Sequence, residues 1–397
     1  MTDESMSDSI PLFEIPWGQR DVANAVDSIT RGSHWANGPY VEVFEAGLEE
    51  YLGVEHAVTV SSGTTALVAA LTAHGVGEGD EVIVPSFTFI ATANAVRRVG
   101  ARPVFADIQR AAYGLDPDAV ADAMSDETAA IVPVHPYGAA CEIDALTELA
   151  ADADIPLIED AAEAFGADYE GKLLGTFGES AALSFCQNKI LPTGEGGAVV
   201  TDDNGIARRV KRYRSHGRAS DEYFQSADSG EYVGVGTNVR MSDLVASIGC
   251  AQLEKVEANI AGRRRAAEQL SAGLADVPGI EPHAAAGRGR HVYQLYTVTL
   301  EADIDRSVVI DTLTEREIAS KVYWEPAAHQ TEAYSEENGE SASLPVTEDV
   351  AGRVLSLPIH PELRSAEVDR IVAGVSAGIE RGRSTAPRLE ARDARPK

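Results

Sequence analysis

The chain has 397 residues and a formal net charge of −30, from 33 Lys plus Arg against 63 Asp plus Glu. With 44% hydrophobic and 24% charged residues it has ample apolar material for one large domain or two modest ones, which excludes global disorder. The sign of the charge argues against nucleic-acid binding, because phosphate contacts need clustered Lys or Arg and the basic residues are mostly dispersed among acids.

In chain order, residues 21–30 and 40–52 read as two short helices joined by a turn at Gly38-Pro39. Residues 56–60 form a strand, 61–65 a turn able to cap a helix, and 66–74 that helix. Strands at 81–85, 102–106, 129–134 and 156–159 then alternate with helices at 90–99, 116–124 and 142–153, and strands at 181–185 and 197–201 follow. Short apolar strands alternating with helices of about ten residues predict an α/β fold with a mainly parallel sheet flanked by helices. Residues 243–274 read as a long helical connector. Beyond it come a strand at 291–300, a helix at 307–315, a strand at 321–324, an acidic irregular stretch at 329–343 and a closing helix at 366–379. The predicted division is a large α/β domain over 10–258, a smaller C-terminal α+β domain over 259–380, and a disordered tail over 381–397, where six basic residues accompany two acids and two prolines.

Only six of the 33 basic residues are lysines, at 172, 189, 211, 255, 321 and 397, leaving 27 arginines. An acidic, lysine-poor composition resembles that of extreme halophiles, where salt screens self-repulsion; an acidic face for a cationic partner is the alternative. The cysteines at 141, 186 and 250 form no CxxC pair, which fits a reducing compartment and neither a disulfide scaffold nor a zinc site. Residues 1–9 are polar and acidic, unlike a signal peptide, and no apolar run reaches the roughly 18 residues of a membrane span, so the expected location is cytoplasmic.

Three loops after strand ends carry chemistry. Ser61-Ser62-Gly63-Thr64-Thr65 places small residues at a helix start, where backbone N–H groups face an anion; an ordinary helix cap is the alternative. Glu159-Asp160 ends an apolar strand, where a carboxylate either caps the next helix or pairs with a protonated ring nitrogen of a cofactor. Lys189 lies in Ser184-Phe185-Cys186-Gln187-Asn188-Lys189, just before the glycine-dense Thr193-Gly194-Glu195-Gly196-Gly197. In a chain that prefers arginine, a retained lysine points to chemistry that a guanidinium cannot do, since only an amine can deprotonate and attack a carbonyl. Cys186 has no paired base in the sequence and reads as a small buried side chain. Gly234 and Gly236 do not form a dinucleotide fingerprint, which excludes a nicotinamide cofactor on that motif.

Gly63-Thr64 after a strand, Glu159-Asp160-Ala161-Ala162 and the run from Ser184 through Lys189 to Gly197 together resemble the DegT/DnrJ/StrS nucleotide-sugar aminotransferases. The resemblance covers roughly residues 10 to 380. It implies a fold-type I enzyme using pyridoxal 5′-phosphate, with Lys189 holding the cofactor covalently and shuttling a proton, and Asp160 pairing with the ring nitrogen. Gly63, Thr64 and Ser184 match the phosphate cup and Phe89 the aromatic that stacks on the ring. Glu163 stands where the family more often has Gln or His beside the cofactor. Asn238 matches a residue reaching the phosphate from a neighbouring subunit, so the resemblance implies a homodimer with shared sites. His329, His135 and Tyr137 match segments near the sugar and cofactor and are the expected substrate-binding residues; on its own, His135 reads as a satisfied loop histidine. Arg214 and His216-Gly217 fit another family segment, with a positioning role. The implied reaction moves an amino group from glutamate to the keto group of a nucleotide-linked sugar. The alternatives are a cofactor-binding regulatory or structural protein of the same fold, and a sugar dehydratase relative; the dehydratases carry histidine where Lys189 stands.

Overall fold

A computed structural model describes residues 9–220, 230–283, 289–335 and 343–385. Its main sheet contains β1 (His56–Val60), β2 (Glu81–Pro85), β3 (Arg102–Ala106), β4 (Thr128–Ile131), β5 (Ile158–Asp160), β6 (Ser180–Ser184) and β7 (Gly197–Thr201). Hydrogen bonding gives the orders β1-β7-β6-β5 and β3-β2-β4. Parallel bridges Ile131–Leu157 and Val134–Asp160 join the two into one sheet, β1-β7-β6-β5-β4-β2-β3. Only β7 runs against its neighbours. The strands are continuously apolar, as in Val82-Ile83-Val84, because helices cover both faces and no side of the sheet meets water.

On one face lie α2 (Pro39–Leu52), α5 (Pro117–Ala123) and α6 (Ile143–Asp152), contributing Phe44, Leu48, Val120, Ile143 and Leu146 to the core. On the other lie α3 (Gly63–His74), α4 (Ala91–Arg98) and α7 (Asn204–Arg214), with Leu67, Leu71, Val96 and Val210. Helix α1 (Gln19–Thr30) is tied to α8 (Asp243–Leu253), where buried Asp243 accepts from Ser28 Oγ, the Arg31 guanidinium and the Tyr40 N–H.

A second, antiparallel sheet is formed by β8 (Ile280–Pro282), β9 (Tyr296–Leu300) and β10 (Val354–Leu357). It shares a separate apolar core with α10 (Arg306–Glu315) and the closing helix Ser365–Thr385. Helix α9 (Val256–Leu274) crosses the expected boundary at 258/259. Its Val256 and Ile260 pack in the main core, whereas Ala266, Ala267, Leu270 and Leu274 pack in the second. Ile10 also packs in the second core and bridges Ile318, so the chain begins its described course on the smaller unit.

Several local expectations change. The predicted connector is two helices, because Ser242 caps α8 and the backbone turns again at Glu254-Lys255 before α9. Residues 321–324 form no strand: Lys321 alone bridges Ser356. The predicted strand at 291–300 pairs only from Tyr296 onward. Helices α7 and Pro345–Arg353 and strand β10 were not anticipated. The closing helix runs on to Thr385, into the first residues of the expected tail, and residues 386–397 lie outside the described ones. Among the described residues no helix is long and apolar enough to cross a membrane, and no group of His, Cys, Asp and Glu is arranged to hold a metal.

Candidate active site

The carboxyl ends of β1, β2, β5 and β6 open onto one cavity of about 430 Å³. Strand β1 leads into the turn that starts α3. There Ser62 accepts from the Thr65 N–H at 3.1 Å and Thr65 Oγ1 accepts from the Ser62 N–H at 2.9 Å, so the cap reading of this turn holds. The cap leaves the first N–H groups of the helix, at Gly63 and Thr64, without a carbonyl one turn back, and both residues line the cavity. A Cβ on Gly63 would stand 2.7 Å from Ser184 Cβ. A Cβ on Gly197 would stand 2.5 Å from the Ser62 carbonyl oxygen. Glycine at both positions therefore lets the helix start, Ser184 and β7 close into a cradle of N–H and hydroxyl donors sized for an anion.

Asp160 ends β5 and is 5% exposed. It accepts from Thr92 Oγ1 at 2.8 Å and from the Ala162 N–H at 3.2 Å. Burial raises its carboxyl above the ordinary range, although Thr92, the Ala162 N–H and Lys189 all favour the charged form. Among the described residues it makes no ion pair, and Lys189 acts on it only through space, so a buried carboxylate faces the cavity without a bonded cation.

Lys189 follows β6 in a tight loop held by its own N–H on the Cys186 carbonyl and by Gln294 Nε2 on the Asn188 carbonyl. Its Nζ lies 3.1 Å from Glu163 Oε1. The other carboxylate oxygen of Glu163 accepts from the Tyr137 N–H at 3.0 Å, which fixes the carboxylate beside the amine. Phe89, 57% exposed, also lines the cavity.

Seven predicted residues thus meet in one cavity: Gly63, Thr64, Phe89, Asp160, Glu163, Ser184 and Lys189. Three predicted substrate contacts do not reach it. His135 is fully buried, with Nε2 2.9 Å from Glu159 Oε2 and Nδ1 accepting from the Cys141 N–H; its own N–H donates to the Asp160 carbonyl. Tyr137 is also fully buried, its hydroxyl donating to the Tyr323 carbonyl and its ring stacked on Trp324. His329 is 2% exposed and grips Ser86 at the end of β2: its N–H donates to Ser86 Oγ at 3.0 Å, and Nδ1 lies 2.5 Å from the same oxygen. All three shape the site from behind its walls. Asn238 is exposed, bridges Ser215 and lies outside the cavity of this chain. Arg214 is 5% exposed and its guanidinium donates to Glu45 and to the Thr59 carbonyl, which steadies β1.

Sequence reasoning missed Thr92, Glu195, Lys321, Tyr323 and Trp324, which also line the cavity. Thr92 carries no local signal, since its partner is 68 residues away. Lys321 was marked only by the scarcity of lysine.

A family model described as the DegT/DnrJ/EryC1/StrS aminotransferase family matches residues 17–376. The chain belongs to that family. It is a pyridoxal 5′-phosphate-dependent sugar aminotransferase. Similar proteins include a GDP-perosamine synthase of Caulobacter vibrioides, 38% identical over 85% of this chain and 90% of its own length. A dTDP-3-amino-3,4,6-trideoxy-alpha-D-glucose transaminase of Micromonospora megalomicea is 36% identical over 92% and 96%. Among solved structures, S. venezuelae DesV in complex with a ketimine intermediate superposes with a TM-score of 0.86 at 34% identity, covering 94% of this chain and 99% of that one. The cavity of this sugar aminotransferase fits the cofactor on three counts: a glycine-built anion cradle, a buried carboxylate without a bonded cation, and a lysine amine held by Glu163.

Proposed function

We propose that this aminotransferase takes an amino group from glutamate and delivers it to the keto group of a nucleotide-linked sugar, within glycan biosynthesis. The observation that carries the reading is Lys189, whose amine projects into the same cavity as the uncompensated Asp160 carboxylate and the Gly63-Thr64 helix start. Relatives acting on GDP- and dTDP-linked sugars support the acceptor class.

When bound, pyridoxal phosphate supplies a carbonyl carbon that takes up the amino group and a conjugated ring that withdraws electrons. Gly63, Thr64 and Ser184 would hold its phosphate through N–H and hydroxyl donors, and Phe89 would cover a face of its ring. Asp160, tied down by Thr92 and the Ala162 N–H, would keep the ring nitrogen protonated. Lys189 Nζ acts as nucleophile and, once free, as the base and acid that moves a proton at the reacting carbon. Glu163 holds that amine in place, and the Tyr137 N–H holds Glu163.

The same proposal includes a homodimer. The exposed Val22, Val26 and Ile29 on α1, with Trp35 and Val43, form apolar surface that a second copy would cover, and Asn238 would then reach the neighbouring site. The charge of −30 supports a cytoplasmic protein adapted to high salt.

The test is the absorbance spectrum of protein purified in high salt, with a Lys189→Ala variant. The wild type should show a band near about 410 nm that moves toward about 330 nm with glutamate and returns with a nucleotide-linked keto-sugar, and the variant should lack the band. A folded wild type without that band after incubation with the cofactor would overturn the role of Lys189.

A further inference from the structure

Five acidic or basic side chains, Asp160, Glu163, Lys189, Glu195 and Lys321, line the cavity beside Cys186 and Tyr323. Lys189 is paired with Glu163 and Asp160 awaits a ring nitrogen, which accounts for three of them. Lys321 is different. Among the described residues it makes no ion pair, in a chain of net charge −30 whose surface offers carboxylates throughout. Two of only six lysines therefore line one cavity, one of them without a counter-charge.

The placement of Lys321 is fixed. Its N–H donates to the Ser356 carbonyl at 3.1 Å and its carbonyl accepts from the Ser356 N–H at 2.8 Å, anchoring it to the edge strand β10. Its ammonium lies 5.2 Å from the centroid of the Tyr323 ring, which also lines the cavity. The Tyr323 carbonyl is held by the Tyr137 hydroxyl, and the Trp324 ring stacks on Tyr137 at 5.4 Å. The segment thus presents one cation on a wall formed by the smaller unit, facing the cavity that contains Lys189.

We propose that Lys321 is the anchor for the anionic group that a substrate carries away from its reacting carbon. The inference rests on the function proposed above, in which the amino donor has a second carboxylate and the keto-sugar a diphosphate. Both offer the same chemistry, an oxyanion remote from the carbon that exchanges nitrogen. An ammonium suits a site that must accept two differently shaped anions in turn, because it acts as a point charge with rotatable donors, whereas a guanidinium favours planar, two-pronged partners.

The experiment uses the cofactor-loaded protein as wild type, Lys321→Gln and Lys321→Arg, each first shown to keep the band near about 410 nm, so that a collapsed site is recognised. In one arm the band shift is titrated with glutamate and with glutamine, which lacks the second charge. In the other, GDP and dTDP binding is measured by calorimetry. Loss of a charge-assisted contact should weaken the affected ligand about tenfold or more in Lys321→Gln, with partial recovery in Lys321→Arg. Weakening of glutamate but not glutamine assigns the carboxylate, and weakening of GDP or dTDP assigns the diphosphate. Unchanged titrations in both arms overturn the proposal. If wild-type protein shows no glutamate-driven shift, the donor reading fails by itself, and the nucleotide arm still decides the role of Lys321.

Discussion

Nε2 of His135 lies 2.9 Å from Oε2 of Glu159, and neither side chain is exposed to solvent. Glu159 also accepts the N–H groups of Gly175, Phe177 and Gly178, at 2.7, 2.7 and 2.9 Å. Nδ1 accepts from the Cys141 N–H, so the ring proton sits on Nε2 and is donated to Glu159, which leaves His135 as the neutral tautomer that burial favours. Burial also opposes charge on Glu159, but His135 and the N–H groups of Gly178 and Gly175 hold its carboxyl below the ordinary range.

The sign of the pH dependence follows. The depressed glutamate contributes stability that is present above its unfolded value of 4.5 and is lost as pH falls through its lower folded value. Urea midpoints of the wild type should therefore decline as pH falls below 4.5, and a Glu159→Gln variant should lose that part of the slope. Equal slopes in the two proteins would refute the charged state of Glu159.

Breaking the pair from either side leaves a buried polar partner with one hydrogen bond fewer. Single His135→Leu and Glu159→Leu variants should each lose about 1–3 kcal/mol of unfolding free energy. The double variant should lose less than the sum of the two, because no Nε2–H is then left unsatisfied.

Thr92 tests the ring-nitrogen carboxylate directly. Its hydroxyl is the side-chain donor to Asp160 Oδ2, and Asp160 is already biased toward its neutral form by burial. Thr92→Val keeps the shape of the α4 wall and removes the donor. Cofactor affinity should fall about tenfold, as expected for a hydrogen bond to a charged group, while the thermal midpoint without cofactor changes little. Equilibrium titration of the cofactor into the apoprotein measures the first, and calorimetry the second.

Much of this site was legible in the sequence because its parts are local. A strand end, a small-residue turn and a helix start fall within ten residues at Gly63-Thr64, and Lys189 stands out against a composition that avoids lysine. The parts that were missed are non-local. Thr92 meets Asp160 through the sheet, and Lys321 enters the cavity because β10, itself unread, pins it from residue 356. Residues His135, Tyr137 and His329 have the polar character of ligand contacts, but sequence cannot tell a wall's inner surface from its outer one. Each binds the chain itself through a side-chain polar atom, on Glu159, the Tyr323 carbonyl and Ser86. The fold was read more completely for the main sheet than for the smaller unit. Parallel strands buried on both faces give continuous apolar runs, whereas β8 is three residues long and half exposed.

The two ends of α3 separate contact from backbone strain. At its start, a Cβ on Gly63 would meet Ser184 Cβ at 2.7 Å and Oγ at 3.0 Å, so Gly63→Ala must push the helix start away from the end of β6. At its other end Gly75 has φ +84° and a Cβ there would find no atom within 4 Å, so Gly75→Ala strains only the left-handed backbone. Both variants should lose about 1–2 kcal/mol of stability, the first by overpacking and the second by conformation. Only Gly63→Ala should widen the anion cradle, and so only it should weaken binding of the cofactor and of inorganic phosphate to the apoprotein. Equal phosphate affinity in the two variants would mean that the cradle is not where the phosphate sits.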